Sequence, residues 1–193
     1  MPRPIVKFVS PNYIKENTPM QQNIDDDIIV PYIVAAQDVY IQQALGSKFY
    51  QHLKDAIVAS TLNADEDNLI RDYIAPVITQ FTFYELIPHI NYKMTNKAVS
   101  QQSSEFSTPS TLDEVKFLRQ SVRDLAEFYL KRLNRYLCDY GQLFPLYIAP
   151  GSNENLTRNK KSYFTGVYIP RKSGRDYGLP TSYPSNYCDD NNC

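Results

Sequence analysis

Apolar residues recur at helical spacing in four stretches of this 193-residue chain. The first stretch follows Asp25–Asp27, three aspartates that can cap free amides and complement the positive end of a helix dipole. Its apolar side is wide and continues up to Gly46. That side comprises Val30, Ile33, Val34, Tyr40, Ile41, Ala44 and Leu45. Gln37 and Asp38 are polar positions next to it, and we expect them to form a hydrogen bond between helices or between subunits.

Gly46 is predicted to end this helix. Glycine can adopt the left-handed conformation that closes a helix, and Ser47 can cap the next helix directly. Phe49, Leu53 and Ile57 then form the inner side of a shorter helix that ends at about Ala59. The sequence therefore predicts a sharp helical corner without a loop.

A third helix is predicted after Asn63, which forms a capping signal with Glu66. Its apolar positions are Leu69, Tyr73, Val77, Phe81 and Tyr84. Pro76 and Pro88 lie inside the pattern and predict a kink near each, or an exit from the helix around Pro88. The segment TQFTFY, residues 79–84, would also suit a strand, but it has no turn residues around it, so we prefer a helix.

The fourth helix begins at a capping box formed by Thr111 and Glu114, and Gly141 is predicted to close it. Its apolar positions are Leu118, Val122, Leu125, Tyr129, Leu133 and either Tyr136 or Leu137. Residues of both charges occupy the other sides, which is typical of a solvated surface rather than a nucleic-acid groove.

Three segments lack helical periodicity. Residues 1–24 contain four prolines and are predicted to form an extended arm without helix, or a frayed terminus. Residues 94–110 are polar and predict a loop or β-hairpin, either a projecting contact or a connector. Residues 141–193 are predicted to form a long non-helical tail rich in Tyr, Pro and Gly, held by other subunits. The predicted fold is therefore mainly α: a small antiparallel bundle of about four helices, residues 25–140, with these extensions.

Composition limits the classes of function. The 20 basic and 21 acidic residues nearly cancel, so no overall field attracts nucleic acid or anionic lipid. No apolar run is long enough to predict a membrane span. The tail is locally basic, and its cations are candidate contacts with DNA or with a protein partner. They are Arg158, Lys160, Lys161, Arg171, Lys172 and Arg175.

Cysteine and tyrosine usage point to an intracellular assembly. An odd number of cysteines, Cys138, Cys188 and Cys193, does not predict a disulfide framework, and no histidine pattern completes a metal site around the last two. The chain has 16 tyrosines and no tryptophan. Tyrosine combines an apolar ring with a polar tip, which suits surfaces that become buried on assembly.

The sequence contains no catalytic signature. His52 and His89 are the only histidines, and both are interpreted as structural. Asp25–Asp27 could be a metal centre, but helix capping accounts for the three carboxylates more simply. We therefore expect no enzymatic activity, no cofactor and no bound metal.

The order of segments between about residues 10 and 140 is distinctive. A proline-broken lead-in, SPNYIKENTPMQQNIDDDI, runs into VPYIVAAQDVYIQQALGSKFYQHL, and a long helix, a polar excursion and the closing helix VRDLAEFYLKRLNRYL follow. The order of "AQ", "LG" and aromatic residues in Ala36–Tyr50 is its most specific part. This layout resembles the head-to-tail connector proteins of tailed bacteriophages, also called adaptor or ring proteins, and is most similar to those of crAss-like phages.

The resemblance implies a structural virion protein of the neck, assembled in the host cytoplasm. It would form a ring, twelvefold in that family, which binds the portal protein and extends the DNA channel toward the tail. Val30–Leu53 and Leu118–Leu137 would form the bundle around the ring. The arm, the excursion and the tail would contact the portal, neighbouring subunits, further neck or tail proteins, and DNA. The basic tail supports a different hypothesis, a small helical nucleic-acid-binding or packaging-associated protein.

Overall fold

The computed structural model describes the backbone of residues 5–94, 99–101, 112–149 and 156, and the side chains of 5–90, 112–149 and 156. Several residues named above lie outside this part of the chain. They are Thr111, Cys188, Cys193 and the six basic residues from Arg158 to Arg175. The same holds for the tail from residue 150 onward, except for Leu156.

The described chain is mainly helical, which confirms the predicted fold class. The α-helices are α1 Pro11–Asn17, α2 Asp26–Ala36, α3 Gln42–Leu45, α4 Ser47–Ala59, α5 Ala64–Asn68, α6 Ala75–Asn91, α7 Leu112–Asp139 and α8 Pro145–Ile148. Two π-helical turns, Gln37–Ile41 and Leu69–Ile74, join α2 to α3 and α5 to α6, and a 3-10 turn spans Gly141–Leu143. Strands β1, Tyr92–Met94, and β2, Val99–Gln101, pair antiparallel. This pair confirms a hairpin within the polar excursion.

Helix α1 corrects the prediction that the N-terminal arm contains no helix. Pro11 occupies the start of the helix, where its missing N–H does no harm, and the Ser10 hydroxyl accepts a hydrogen bond from the amide of Tyr13 at 3.2 Å. Ile14 is completely buried. Pro11 therefore sets the start of this helix instead of preventing it. Residues 5–9 before the helix are not helical.

The helix predicted before Gly46 runs without a break from Asp26 to Leu45 through the first π turn. Its buried side differs in part from the predicted one: Ile33 and Ile41 are buried as predicted, but Val30 and Val34 are only half-buried, and Ile29, which was not predicted, is fully buried. A π turn holds one more residue than an α turn, so one period does not fit both sides of Gln37–Ile41. The predicted capping bond is also not formed, since the Asp25 side chain accepts no cap hydrogen bond and Asp27 lies exposed in the first turn.

The corner at Gly46 differs from the prediction in its backbone conformation. Gly46 has φ 82° and ψ 158°, which lies outside the left-handed helical region and in a region of backbone conformation open almost only to glycine. Ser47 is the first residue of α4 and makes no cap hydrogen bond there. The corner without a loop is thus confirmed, but its backbone geometry and its cap are not those expected.

The predicted start of the third helix is confirmed, but the helix does not end around Pro88. Asn63 and Glu66 form both bonds of a capping box. The π turn Leu69–Ile74 ends two residues before Pro76, and α6 continues through Pro88 to Asn91. Residues 79–84 are helical, so the strand interpretation of TQFTFY is wrong.

Helix α6 lies between the first long helix and α7. Tyr32 packs on His89 and Tyr40 stacks on Phe81, so the Asp26–Leu45 helix runs antiparallel to α6. Helix α7 also runs antiparallel to α6, because Arg119 binds Glu85 and Arg132 lies over Tyr73. Both helices therefore run antiparallel to α6 and parallel to each other.

The fourth predicted helix ends close to the predicted position. Helix α7 stops at Asp139, close to the predicted end, and Gly141 begins the 3-10 turn, where an added Cβ would meet the Ile148 side chain at 3.3 Å. Cys138 is in a disulfide bond, whereas the number of cysteines did not predict a disulfide framework. An odd number of cysteines does not prevent one pair from forming.

Candidate interaction surfaces

Helix α7 presents three different sides. Successive residues of a helix lie about 100° apart, and this spacing separates the apolar residues of α7 into two sets. The core set is Val115, Val122, Ala126, Leu133 and Leu137. A charged side carries the bonds from Arg123 to Glu127 at 2.8 Å and from Gln120 to Asp124 at 2.7 Å. The third side is apolar but solvent-exposed.

The exposed apolar side of α7, here called the apolar stripe, consists of Phe117, Leu118, Leu125 and Phe128. Phe117 and Phe128 are 78% and 61% exposed, and both leucines are exposed as well. Leu118 and Leu125 were predicted to face the core, so that part of the predicted helix face is wrong. The stripe spans about 16 Å along the helix at 1.5 Å per residue. The stripe is therefore a candidate interaction site.

A second exposed apolar surface lies on the first long helix. This outer α2 face consists of Ile28, Pro31, Ala35 and Val39, all of them exposed. The helix Asp26–Leu45 is long and apolar enough to cross a membrane, which the sequence analysis did not expect, yet only 39% of its most apolar window is buried in the fold. Its inner side accounts for that burial by packing on α6. A helix that is apolar on all sides is normally covered on all sides.

Gln37 fixes the N-terminal arm to the bundle. Its side chain is completely buried, its Oε1 accepts from the amide of Phe8 at 2.8 Å, and its Nε2 donates to the carbonyl of Val6 at 3.1 Å. Phe8 also packs edge-on against Tyr50 with ring centroids 5.5 Å apart. The polar position singled out in the sequence therefore bonds to the arm of its own chain.

Replacing Gln37 by leucine should release this arm. The backbone groups of Val6 and Phe8 would lose their partners, which costs about 1–2 kcal/mol of local stability. Trypsin cleavage after Lys7, which lies between these two residues, is then expected to accelerate about tenfold in a mass-spectrometric time course. Gln51→Leu on α4 is the matched control, because Gln51 is exposed and bonds to exposed Asp55 on the same helix. Equal cleavage rates in both variants would contradict the clamp.

A polar network connects the Asp26–Leu45 helix, α6 and α7 at one level. The Tyr40 hydroxyl donates to Glu85 Oε1 at 2.8 Å, and Arg119 Nη2 donates to Glu85 Oε2 at 3.3 Å. Arg119 also lies over the ring of Tyr84, 4.2 Å from its centroid. Burial, and then the hydrogen bond to Glu85, raise the pKa of Tyr40. One carboxylate of α6 therefore holds Tyr40 and Arg119 at the same height.

A similar contact joins the first long helix to α4. The Tyr50 hydroxyl donates to Asp38 Oδ1 at 2.7 Å, and Lys54 donates to the same hydroxyl at 3.3 Å. Burial and the neighbouring Asp38 raise the pKa of Tyr50. Because both helices meet at Gly46, this contact holds the angle of the corner.

Ser47 connects the corner to the far end of the described chain. Its amide donates to the carbonyl of Leu156 at 2.9 Å, and its hydroxyl also donates to that carbonyl at 3.2 Å. The amide of Leu156 donates to Ser47 Oγ at 2.8 Å. Three hydrogen bonds thus hold residue 156 at the start of α4.

The chemistry-bearing residues named in the sequence do not converge. His52 pairs with Glu66 at 2.8 Å, a contact that links α4 to α5, and His89 packs on Tyr32. Among the described residues no group of three or more His, Cys, Asp or Glu side chains forms a candidate metal site. A small cleft of about 140 Å³ lies between α1, α6 and α7 and is lined by Tyr13, Asn17, Pro76, Thr79, Gln80 and Tyr129.

The predicted assembly residues lie apart in the fold. Gly46 is at the corner, Asp27 at the start of the first long helix, Glu114 in the first turn of α7 and Gly141 after its end. They start or end helices and do not form one site.

A family-level comparison matches residues 41–157 to a family of unknown function, DUF6712. The chain belongs to the DUF6712 family. No curated protein and no solved structure matches it. The DUF6712 region begins in the first π turn and ends just after Leu156, so it contains the corner, the apolar stripe and the Ser47–Leu156 contact, whereas the arm and the outer α2 face precede it.

Proposed function

We propose that this DUF6712 protein is a structural subunit of the neck of a tailed bacteriophage. It forms a ring, twelvefold as in the connectors that its sequence resembles, which binds the portal protein and extends the DNA channel toward the tail. Its place is the head-to-tail junction of the virion, after assembly in the host cytoplasm. Its role is structural and requires no catalysis.

One observation carries this proposal: the described fold leaves two apolar helix surfaces uncovered. The apolar stripe and the outer α2 face are too large and too contiguous for scattered surface residues, so they favour a protein that is completed by assembly.

The proposal is tested by the mass of native particles made with and without the portal protein of the same phage. Co-expression with the portal is expected to give one particle whose mass corresponds to the portal plus a ring of this chain. Mass photometry and native mass spectrometry measure that mass directly. A chain that stays monomeric at all concentrations and does not co-purify with the portal would contradict the connector role.

The nucleic-acid hypothesis rests on the six basic residues from Arg158 to Arg175, which lie outside the described residues. It predicts DNA binding that weakens steeply as salt is raised. Neutralising all six residues should then abolish DNA binding while leaving portal binding unchanged. The two hypotheses are therefore separable in the same preparation.

A further inference from the structure

Helix α4 receives the acceptor for its first amide from the far end of the described chain. The first amides of a helix have no partner within it and are usually bound by a side-chain cap. Gly46, which precedes α4, has no side chain and provides no such cap. The amide of Ser47 donates instead to the carbonyl of Leu156 at 2.9 Å. We propose that Leu156 caps α4 and forms a strap with Ser47, which fixes the Gly46 corner as long as residue 156 stays in place.

The backbone of Leu156 meets the requirements of a helix cap. Its carbonyl carries partial negative charge and lies at the positive end of the α4 dipole. The contact is also reciprocal, because the Leu156 amide donates to Ser47 Oγ at 2.8 Å and the Ser47 hydroxyl donates to the carbonyl at 3.2 Å. All three bonds use backbone atoms of Leu156. The strap therefore depends on the position of the chain at residue 156 and not on the leucine side chain.

The corner needs support from the structure around it. Gly46 has φ 82° and ψ 158°, a sparsely populated conformation that persists only where the surrounding structure holds it. The Tyr50 hydroxyl supplies part of this support, because it bonds to Asp38 at 2.7 Å and joins α4 to the first long helix. The strap adds a restraint from outside these two helices. Loss of the strap should therefore loosen both the first turn of α4 and the angle of the corner.

The strap connects the corner to the sequence that follows residue 156. Arg158, the first basic residue of the tail, is two positions after Leu156. The bonds to Ser47 Oγ are solvent-exposed, so a partner that draws the chain at residue 158 away from α4 breaks them first. Release of the tail then removes the cap of α4, and by linkage a loosened corner favours release of the tail. The strap lies within one chain and does not depend on the proposed ring.

Leu156→Pro in the full chain removes the amide donor of the strap, since proline has no N–H. Leu156→Ala is the matched control, because it keeps all three backbone bonds. Hydrogen exchange measured by mass spectrometry follows the amides of residues 47–50, and those of α6 report the stability of the fold in the same sample. Leu156→Pro is expected to accelerate exchange at residues 47–50 about tenfold with α6 close to wild type, and Leu156→Ala by less than about twofold. Wild-type exchange in Leu156→Pro, or equal acceleration in both variants, would overturn the proposal.

Ser47→Ala tests the same contact from the side of α4. It removes both bonds of the hydroxyl, and alanine is a good helix former, so the fold is retained. Exchange at residues 47–50 is expected to rise about fivefold, whereas Ser47→Thr, which keeps the hydroxyl, should stay within about twofold of wild type.

The double variant shows whether the two residues act through one contact. Ser47→Ala and Leu156→Pro both remove the bond between Ser47 Oγ and the Leu156 amide. Together they should therefore accelerate exchange by less than the product of the two single accelerations. Accelerations that simply multiply would overturn the strap, as would exchange in Ser47→Thr as fast as in Ser47→Ala.

Discussion

Gly46→Val is expected to lower the free energy of unfolding by about 2–3 kcal/mol, because the backbone at this residue has a conformation that side chains with a Cβ rarely adopt. Gly46 has φ 82° and ψ 158° and is buried between two helices that meet without a loop. Valine is branched at Cβ and would have to shift the backbone, which would move Ser47 away from Leu156. Urea unfolding followed by circular dichroism at 222 nm measures the loss.

Gly141→Ala is the matched control for Gly46→Val. Among the described residues, Gly46 is the glycine with positive φ, so alanine at position 141 meets no backbone strain. The new Cβ meets the Ile148 side chain at 3.3 Å, which can move, and the Tyr147 ring at an ordinary contact distance of 3.9 Å. A change below about 1 kcal/mol is expected. Equal losses from both substitutions would show that burial, and not backbone conformation, determines the need for glycine at the corner.

The Gly46 substitution also separates folding from assembly. A destabilised corner changes the angle between the first long helix and α4, and the first long helix carries the outer α2 face. Gly46→Val should therefore reduce ring formation even under conditions where the chain is folded. A folded variant with unchanged particle mass would show that the corner serves stability alone.

Local signals in the sequence predicted most of the helices. The capping box of Asn63 and Glu66, the glycine at the corner and the apolar period of α7 each depend on residues within one or two turns, and each is present in the structure. Such short-range interactions can be read from spacing because helix geometry fixes which neighbours meet.

The apolar stripe shows where spacing was insufficient. Leu118 and Leu125 stand at helical spacing with Val122, yet they point away from the core. Helix α7 has more apolar residues than one side can hold, and their number was a signal for a second surface. The period alone cannot say which of two adjacent apolar sets faces α6, because that depends on tertiary packing.

Long-range hydrogen bonds also could not be predicted from the sequence. Gln37 bonds to residues about 30 positions earlier, and Ser47 bonds to Leu156, which is 109 positions later. The π turn at Gln37–Ile41 has no simple sequence signature, although it places the Gln37 amide inside the bundle. The prediction that the arm contains no helix gave its prolines too much importance. Proline at the start of a helix, as at Pro11, is favourable.

Phe49→Ala is expected to cost about 3–5 kcal/mol, the usual range for removing a buried aromatic ring. Phe49 is 1% exposed and stands in α4 three residues after the corner. Its ring packs against Phe144 at 5.5 Å and Tyr147 at 6.3 Å between ring centroids, so it joins α4 to the segment that follows α7. The DUF6712 region starts at residue 41 and ends at residue 157, and this cluster lies where its two ends come together.

Loss of the Phe49 ring should therefore release the end of the family region as well as destabilise the core. Hydrogen exchange at the Leu156 amide, which bonds to Ser47, is expected to accelerate along with the fall in the urea midpoint. Val58→Ala on the same helix is the control, since an exposed valine should change stability by less than about 0.5 kcal/mol. If Phe49→Ala lowered global stability but left Leu156 protected relative to the core, the contact at Ser47 would stand independently of the aromatic cluster. The expected coupling instead means that the two ends of the DUF6712 region unfold as one cooperative unit. Contacts between α4 and residues more than 90 positions later in the chain hold this unit together.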